Sequence, residues 1–143
     1  MNRKDAREAA FRVLFSRDFN SELTPLQLWQ NAVEEGNVAE DDVYATNLMR
    51  LLTEHEEEVD RVIVQYAVGW KMSRISHVSR SVLRLAITEM LYMPDIPLLV
   101  SLNEGIELSK KYDDEKAYGF INGVLHAVSL DARATEAQTT EKK

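Results

Sequence analysis

The sequence predicts an all-α protein of about six or seven helices, and three observations carry that reading. Apolar residues recur at three- and four-residue spacing along most of the chain, no stretch alternates apolar and polar residues for long enough to build a sheet, and cap residues and helix stops punctuate the periodic segments.

The elements follow in order. Asn2, with Asp5 three positions on, caps a first helix in which Ala6, Ala10, Val13, Leu14 and Arg17 keep helical spacing to about Phe19. Thr24-Pro25 is a cap and first-turn pair opening a short helix through Leu28, Trp29 and Val33, which Gly36 stops. From Asp41 to Gly69 the periodicity fits one long helix or two with a break near Glu54 to Glu58, and two are expected. A further helix covers about Ile75 to Tyr92 until Met93-Pro94-Asp95 interrupts it. Asp95 is expected to cap the next, with Pro97 in its first turn and Lys110 and Lys111 at its negative end. The last runs from about Asp114 to Leu130. Residues 1–131 thus form one domain, and 132–143, small, polar and charged, are expected to be a disordered tail.

Composition narrows the function. With 45% apolar and 29% charged residues the chain is that of an ordinary globular domain. No apolar run approaches the ~18 residues of a membrane span, and residues 1–20 carry charge throughout, unlike a secretory signal. Zero cysteines remove thiolate metal sites, iron–sulfur clusters and cysteine nucleophiles, and a cytoplasmic protein is expected.

No catalytic constellation emerges. His55, His77 and His126 lie on three different helices outside any zinc-binding spacing, and positions 52, 74 and 123 lack the Glu that a di-metal bundle places three residues before each His. The five glycines are too dispersed for a phosphate loop. Gly119 and Gly123 form a GxxxG read as close helix packing in the core. Glu104 and Glu107, near Lys110 and Lys111, read as a salt-bridged surface. No catalytic residue, metal or cofactor is therefore assigned.

Charge is polarised. The net charge is −7, yet Glu34 to Asp60 holds ten acids against one base, whereas Lys71 to Thr88 holds four bases and no acid. At 100° per residue, Lys4, Arg7, Phe11 and Phe15 fall within about an 80° arc of the first helix. Cations that hold phosphates beside rings that stack on bases are a surface single-stranded RNA readers use. Phe11 reads better as core; Phe15 fits either role. Folding is expected to gather Arg3, Lys4, Arg7, Arg80 and Lys116 on one basic face, away from the acidic run.

One region carries more than periodicity. Arg80-Ser-Val-Leu-Arg-Leu-Ala-Ile-Thr-Glu89, Asp95-Ile-Pro97, Leu102-Asn-Glu-Gly-Ile-Glu-Leu-Ser-Lys-Lys-Tyr112 and Phe120-Ile-Asn-Gly-Val-Leu125 resemble the signature of the NusB transcription antitermination family, and Arg7-Glu8-Ala9 followed by Val13-Leu14-Phe15 is similar to its opening helix. The resemblance spans nearly the whole chain, with 19–42 and the tail weakly matched. It implies two helical halves and a factor that binds boxA-type single-stranded RNA together with the ribosomal protein NusE, joins RNA polymerase, and supports ribosomal RNA transcription without catalysis. RNA contacts are implied at Arg3, Lys4, Arg7, Lys116 and Phe120, and partner contacts at Phe15 and Ser79. Asp5 interrupts the family's basic start, and Phe15 stands where Tyr is usual. Arg84 reads as an ion pair with Glu104 or Glu89, and Asn103 and Asn122 as buried bridging groups. The alternative is a helical protein-interaction module with little RNA affinity of its own. An RNA-modifying enzyme built on the same helical domain lacks its Gly-rich cofactor loop and catalytic Cys here.

Overall fold

A computed structural model describes residues 2–17, 22–38, 42–131 and 133–134. Among the described residues the helices are, in order, α1 (Arg3–Ser16), α2 (Pro25–Glu34), α3 (Val43–Tyr66), α4 (His77–Tyr92), α5 (Leu98–Tyr112) and α6 (Glu115–Ser129), with a 3-10 turn at Met72–Arg74 before α4. Among the described residues there is no strand, and no helix is long and apolar enough to cross a membrane.

The helix starts are local chemistry. Asn2, Thr24, Asp42, Ser76 and Asp114 each accept a backbone N–H three residues on, and Gln27 completes a capping box with Thr24. Past α2, Gly36 takes φ +75°, the left-handed conformation that ends a helix most cheaply in glycine.

α5 begins differently from the sequence expectation: Pro97, not Asp95, occupies the cap position, without a side-chain hydrogen bond. A cap at Asp95 would put Ile96, the residue before a proline, into helical conformation, which the proline ring disfavours, and Pro97 has no N–H to offer. α1 ends at Ser16, and Phe19 lies outside the described residues.

The two helices expected between 41 and 69 meet at a non-helical residue, His55 (φ −121°, ψ 16°), and run on as the one kinked element α3; the His55 ring stacks on Tyr92 at 3.9 Å. The break falls inside the expected Glu54 to Glu58 window.

Two halves, α1–α3 and α4–α6, close around α4, which packs against α1, α3, α5 and α6. Eleven of its sixteen residues are buried, so it is covered on nearly every side, and Ser79, Ser81, Thr88 and Glu89 are among those buried. The crossing of α4, α5 and α6 depends on Gly105: a Cβ there would meet Leu125 Cδ1 at 2.8 Å and Ala86 Cβ at 3.3 Å. Gly119 and Gly123 do not play the packing role expected of them; both are exposed, with nothing within 4 Å of a built Cβ.

Several charges are resolved into structure. Arg84 pairs through two hydrogen bonds with Asp60 (2.9 and 3.2 Å), not with Glu104 or Glu89; five residues on in α4, Glu89 lies about 140° around the helix and holds Arg7. The acidic run is not a solvated face only: Glu56 holds Arg17, Glu58 holds Arg61 and Arg133, and Asp60 holds Arg84. Glu40 and Asp41 lie outside the described residues. Asn103, expected to be buried, faces solvent. Arg133 and Ala134, assigned by sequence to the tail, are docked: Ala134 is fully buried, and Arg133 bonds Asp131, Glu58 and Gln65. The rest of the tail, 132 and 135–143, lies outside the described residues.

Candidate nucleic-acid interface

Two cation-bearing patches stand out, linked by the end of α5. The first is the leading end of α1. Arg3 and Lys4 are exposed there, next to the positive pole of a fourteen-residue helix. The Arg3 guanidinium lies 4.8 Å from the centroid of the Tyr44 ring.

Arg7 does not join them. It is 4% exposed, and its guanidinium donates to both carboxylate oxygens of Glu89 (2.8 and 3.0 Å). Burial opposes its charge, but the hydrogen bonds and the negative charge of Glu89 raise its pKa above the ordinary value. The sequence placed Arg7 on an RNA-facing surface because Lys4, Arg7, Phe11 and Phe15 share an arc; that arc turns towards the core, where Phe11 is also buried. Phe15 is half-buried, its ring stacked on Phe11 at 6.0 Å and 18°.

The second patch is a groove between the start of α4 and the start of α6, lined by Trp70, Arg74, Ser76, Asp113, Lys116 and Phe120 among others. Trp70 is 50% exposed, and its ring sits 5.5 Å from that of Phe120, tilted by 52°. Arg74 and Lys116 are exposed along the same groove. Ser79 lines it too, yet it is 2% exposed. Its hydroxyl donates to Asp113 Oδ2 (2.7 Å), as does that of Ser76 (2.9 Å), so Ser79 fastens the groove wall instead of presenting a hydroxyl to a partner. Arg80 stands outside the groove lining, its Nη2 2.5 Å from His77 Nδ1.

Lys111 and Tyr112 connect the patches. Both donate to Glu8 of α1, Tyr112 packs on Phe11 with ring centroids 4.8 Å apart, and the next residue is the Asp113 of the groove. These hydrogen bonds hold the Glu8 carboxyl below the usual carboxylate range.

The structure therefore brings Lys116, Phe120 and Ser79 into one groove and Arg3 and Lys4 onto one helix end, while Arg7 is withdrawn. Sequence reading missed Trp70 and Arg74. The signal was available: an aromatic directly after the helix-stopping Gly69, opening the stretch whose bases are unmatched by acid.

An all-helical domain with aromatic rings and cations gathered at one groove has the architecture of a nucleic-acid-binding protein. The comparisons make the class specific. The NusB family model matches residues 4–130. The transcription antitermination protein NusB of Carboxydothermus hydrogenoformans is 41% identical over 134 residues, covering 90% of this chain and 93% of that protein. That of Bacillus subtilis is 40% identical over 131 residues, covering 92% and 97%. Among solved structures, T. maritima NusB superposes with a TM-score of 0.85 at 31% identity, covering 96% of each chain. A structure of antitermination factors NusB and NusE in complex with dsRNA aligns with a TM-score of 0.76 at 36% identity, covering 88% of this chain and 94% of that one. The chain belongs to the NusB family.

Proposed function

We propose that this protein is a transcription antitermination factor that binds boxA-type single-stranded RNA together with ribosomal protein NusE, joins the RNA polymerase antitermination complex in the cytoplasm, and supports ribosomal RNA transcription without catalysing a reaction. The observation that carries the reading is the Trp70–Phe120 pair with Arg74 and Lys116 along one groove. Rings at this spacing and tilt offer faces on which unstacked bases can lie, and flanking cations reach the phosphates between them. Arg3, Lys4 and Arg80 add phosphate contacts, and Phe15, at the edge of the aromatic line Phe15–Phe11–Tyr112, contributes an apolar contact to the partner. Kinship with NusB proteins, one solved with NusE and RNA, supports the same assignment.

A shared binding task follows from the local charge. Arg74 and Lys116 in the groove are matched by Asp113 and Asp114, so the groove is close to neutral and its grip on RNA rests on stacking more than on counterion release. The same balance favours the second reading, an interaction module in which the partner supplies the RNA affinity.

Fluorescence anisotropy with a labelled boxA-type RNA, run with and without NusE over a salt series, separates the two. The chain alone is expected to bind weakly with a shallow salt slope, and the chain–NusE complex more tightly and more steeply than either component. A complex no tighter on RNA than NusE alone selects the interaction module. Failure to bind NusE overturns both.

A further inference from the structure

We propose that Tyr44 is a positioning residue for RNA binding: its ring seats the guanidinium of Arg3 at the leading end of α1, and a buried ionic knot fixes the ring. This rests on the reading of Arg3 as a phosphate contact.

Arg3 and Arg7 are one helical turn apart on α1, and both guanidiniums reach the same Tyr44 ring, Arg3 at 4.8 Å and Arg7 at 5.3 Å from its centroid. Their circumstances differ. Arg3 is exposed, whereas Arg7 is buried against Glu89.

Burial and a hydrogen bond hold the ring in place. Tyr44 is buried, and its hydroxyl donates to Glu89 Oε2. Glu89, with no exposed surface, also accepts both Arg7 bonds and the hydroxyl of Ser101 at 3.0 Å. Four helices meet at that one carboxylate: α1 through Arg7, α3 through Tyr44, α4 through Glu89 itself and α5 through Ser101. Rotating the Tyr44 ring away would strip a donor from a buried charge, which is costly. Burial and the charge of Glu89 both push the phenol's pKa well up, so the ring stays neutral.

The consequence falls on Arg3. A cation–π seat uses the charge of the guanidinium and not its N–H donors, which remain available to phosphate oxygens. An arginine on the first residue of a helix otherwise samples many rotamers, and ordering it on binding lowers affinity; a seat that orders it beforehand removes that loss. Among the described residues no ring lies under Lys4, which instead lines a cavity with Glu8, Glu104 and Glu107.

The test is a double-mutant cycle on the chain–NusE complex with a boxA-type RNA, read by anisotropy and paired with thermal melting. Arg3→Ala and Tyr44→Leu are each expected to weaken binding about two- to fivefold, the range of a surface cation–π contact, and the double variant to be no weaker than Arg3→Ala. Tyr44→Phe keeps the buried ring but loses the hydroxyl that anchors it, so its melting temperature falls while its RNA affinity lies between those of wild type and Tyr44→Leu, a split a merely structural role does not produce. Losses that add across the cycle, or a Tyr44→Phe affinity that falls in step with stability, overturn the proposal. Should Tyr44→Leu fail to fold, the Arg3 side-chain Nε–H resonance decides: an upfield ring-current shift in wild type and Tyr44→Phe supports the seat, and an unshifted resonance overturns it. A wild-type complex that binds RNA while Arg3→Ala has no effect refutes the seat alone and leaves RNA binding resting on the groove. A wild-type complex that does not bind RNA overturns the underlying reading, and the seat with it.

Discussion

Replacing Arg7 by Ala separates a surface cation from a structural one, and the structure gives the size of the effect. The Arg7 and Glu89 side chains are 5% and 1% exposed, with two hydrogen bonds between them. Removing the guanidinium leaves Glu89 buried and charged with only the hydroxyls of Tyr44 and Ser101 as donors. Breaking a buried pair from one side costs about 3–5 kcal/mol. An unfolding entropy of about 2.1 cal/mol/K per residue over a domain of this size converts that into a fall in melting temperature of roughly 11–18 °C. Circular dichroism at 222 nm, in heat and in urea, reads it. Arg7→Met should lose nearly as much, because the orphaned carboxylate is the same, whereas Arg7→Met with Glu89→Gln should recover most of the loss by removing the charge. RNA affinity of the NusE complex, measured well below the melting point, should change less than about twofold. An Arg7→Ala protein melting within about 3 °C of wild type, with its log–log salt slope on RNA reduced by about 0.7, would refute this reasoning and make Arg7 a phosphate ligand.

Four further outcomes follow from the same geometry. Gly105→Ala should lose about 1 kcal/mol net in urea denaturation, since a better helix former by about 1 kcal/mol is outweighed by a Cβ forced against Leu125 and Ala86, while Gly123→Ala, facing open space, should gain about 0.5–1 kcal/mol. Trp70→Ala and Phe120→Ala should each weaken RNA binding by about 1–3 kcal/mol in anisotropy while leaving NusE binding unchanged. Phe15→Asp should cost ~2 kcal/mol or more of NusE affinity by calorimetry, provided melting shows the half-buried ring's replacement still folded. The Glu8 carboxyl has its pKa lowered by Lys111 and Tyr112, so its contribution to stability is fully present above the ordinary carboxylate value of 4.5 and is lost as pH falls below it through the depressed folded value; Glu8→Gln should flatten that part of a stability–pH profile.

What the sequence made legible is what local chemistry decides. Thr24-Pro25 caps α2 because a hydroxyl and a fixed φ suffice there, and the Glu54 to Glu58 window brackets the kink in a stretch, 53–58, with no apolar side chain. Errors begin where a partner distant along the chain decides. Arg7 reads as surface from its helical arc, since nothing nearby announces Glu89, 82 residues away. Arg84, on a different side of α4 from Glu89, pairs with Asp60, 24 residues back in α3. The glycines invert for the same reason: GxxxG on α6 is a familiar spacing facing solvent, whereas Gly105, unremarkable in sequence, sits where Leu125 leaves no room. Of the candidate interface, Lys116 and Phe120 were reached through family resemblance and Arg3 and Lys4 through charge, while Trp70 needed the fold to bring it against Phe120.

The net charge of −7 argues against RNA binding only while the acidic run is treated as a block of field. In the fold much of that run is bonded: Glu56, Glu58 and Asp60 tie α3 to Arg17, Arg133 and Arg84, so their charge is neutralised where it stands and links α3 to the end of α1, to the end of the described chain and to α4. Two opposed faces, one acidic and one basic, are therefore not what reconciles the composition with the proposed function. The reconciliation is local. Arg3 and Lys4 keep their charge at a helix end, Arg74 and Lys116 share their groove with two carboxylates, and the rings of Trp70 and Phe120 depend on no net charge at all. On the proposed function, a surface so arranged would hold RNA by stacking and leave long-range attraction to a partner chain. That division of work gives a physical reason for an acidic RNA-binding factor to act together with a ribosomal protein.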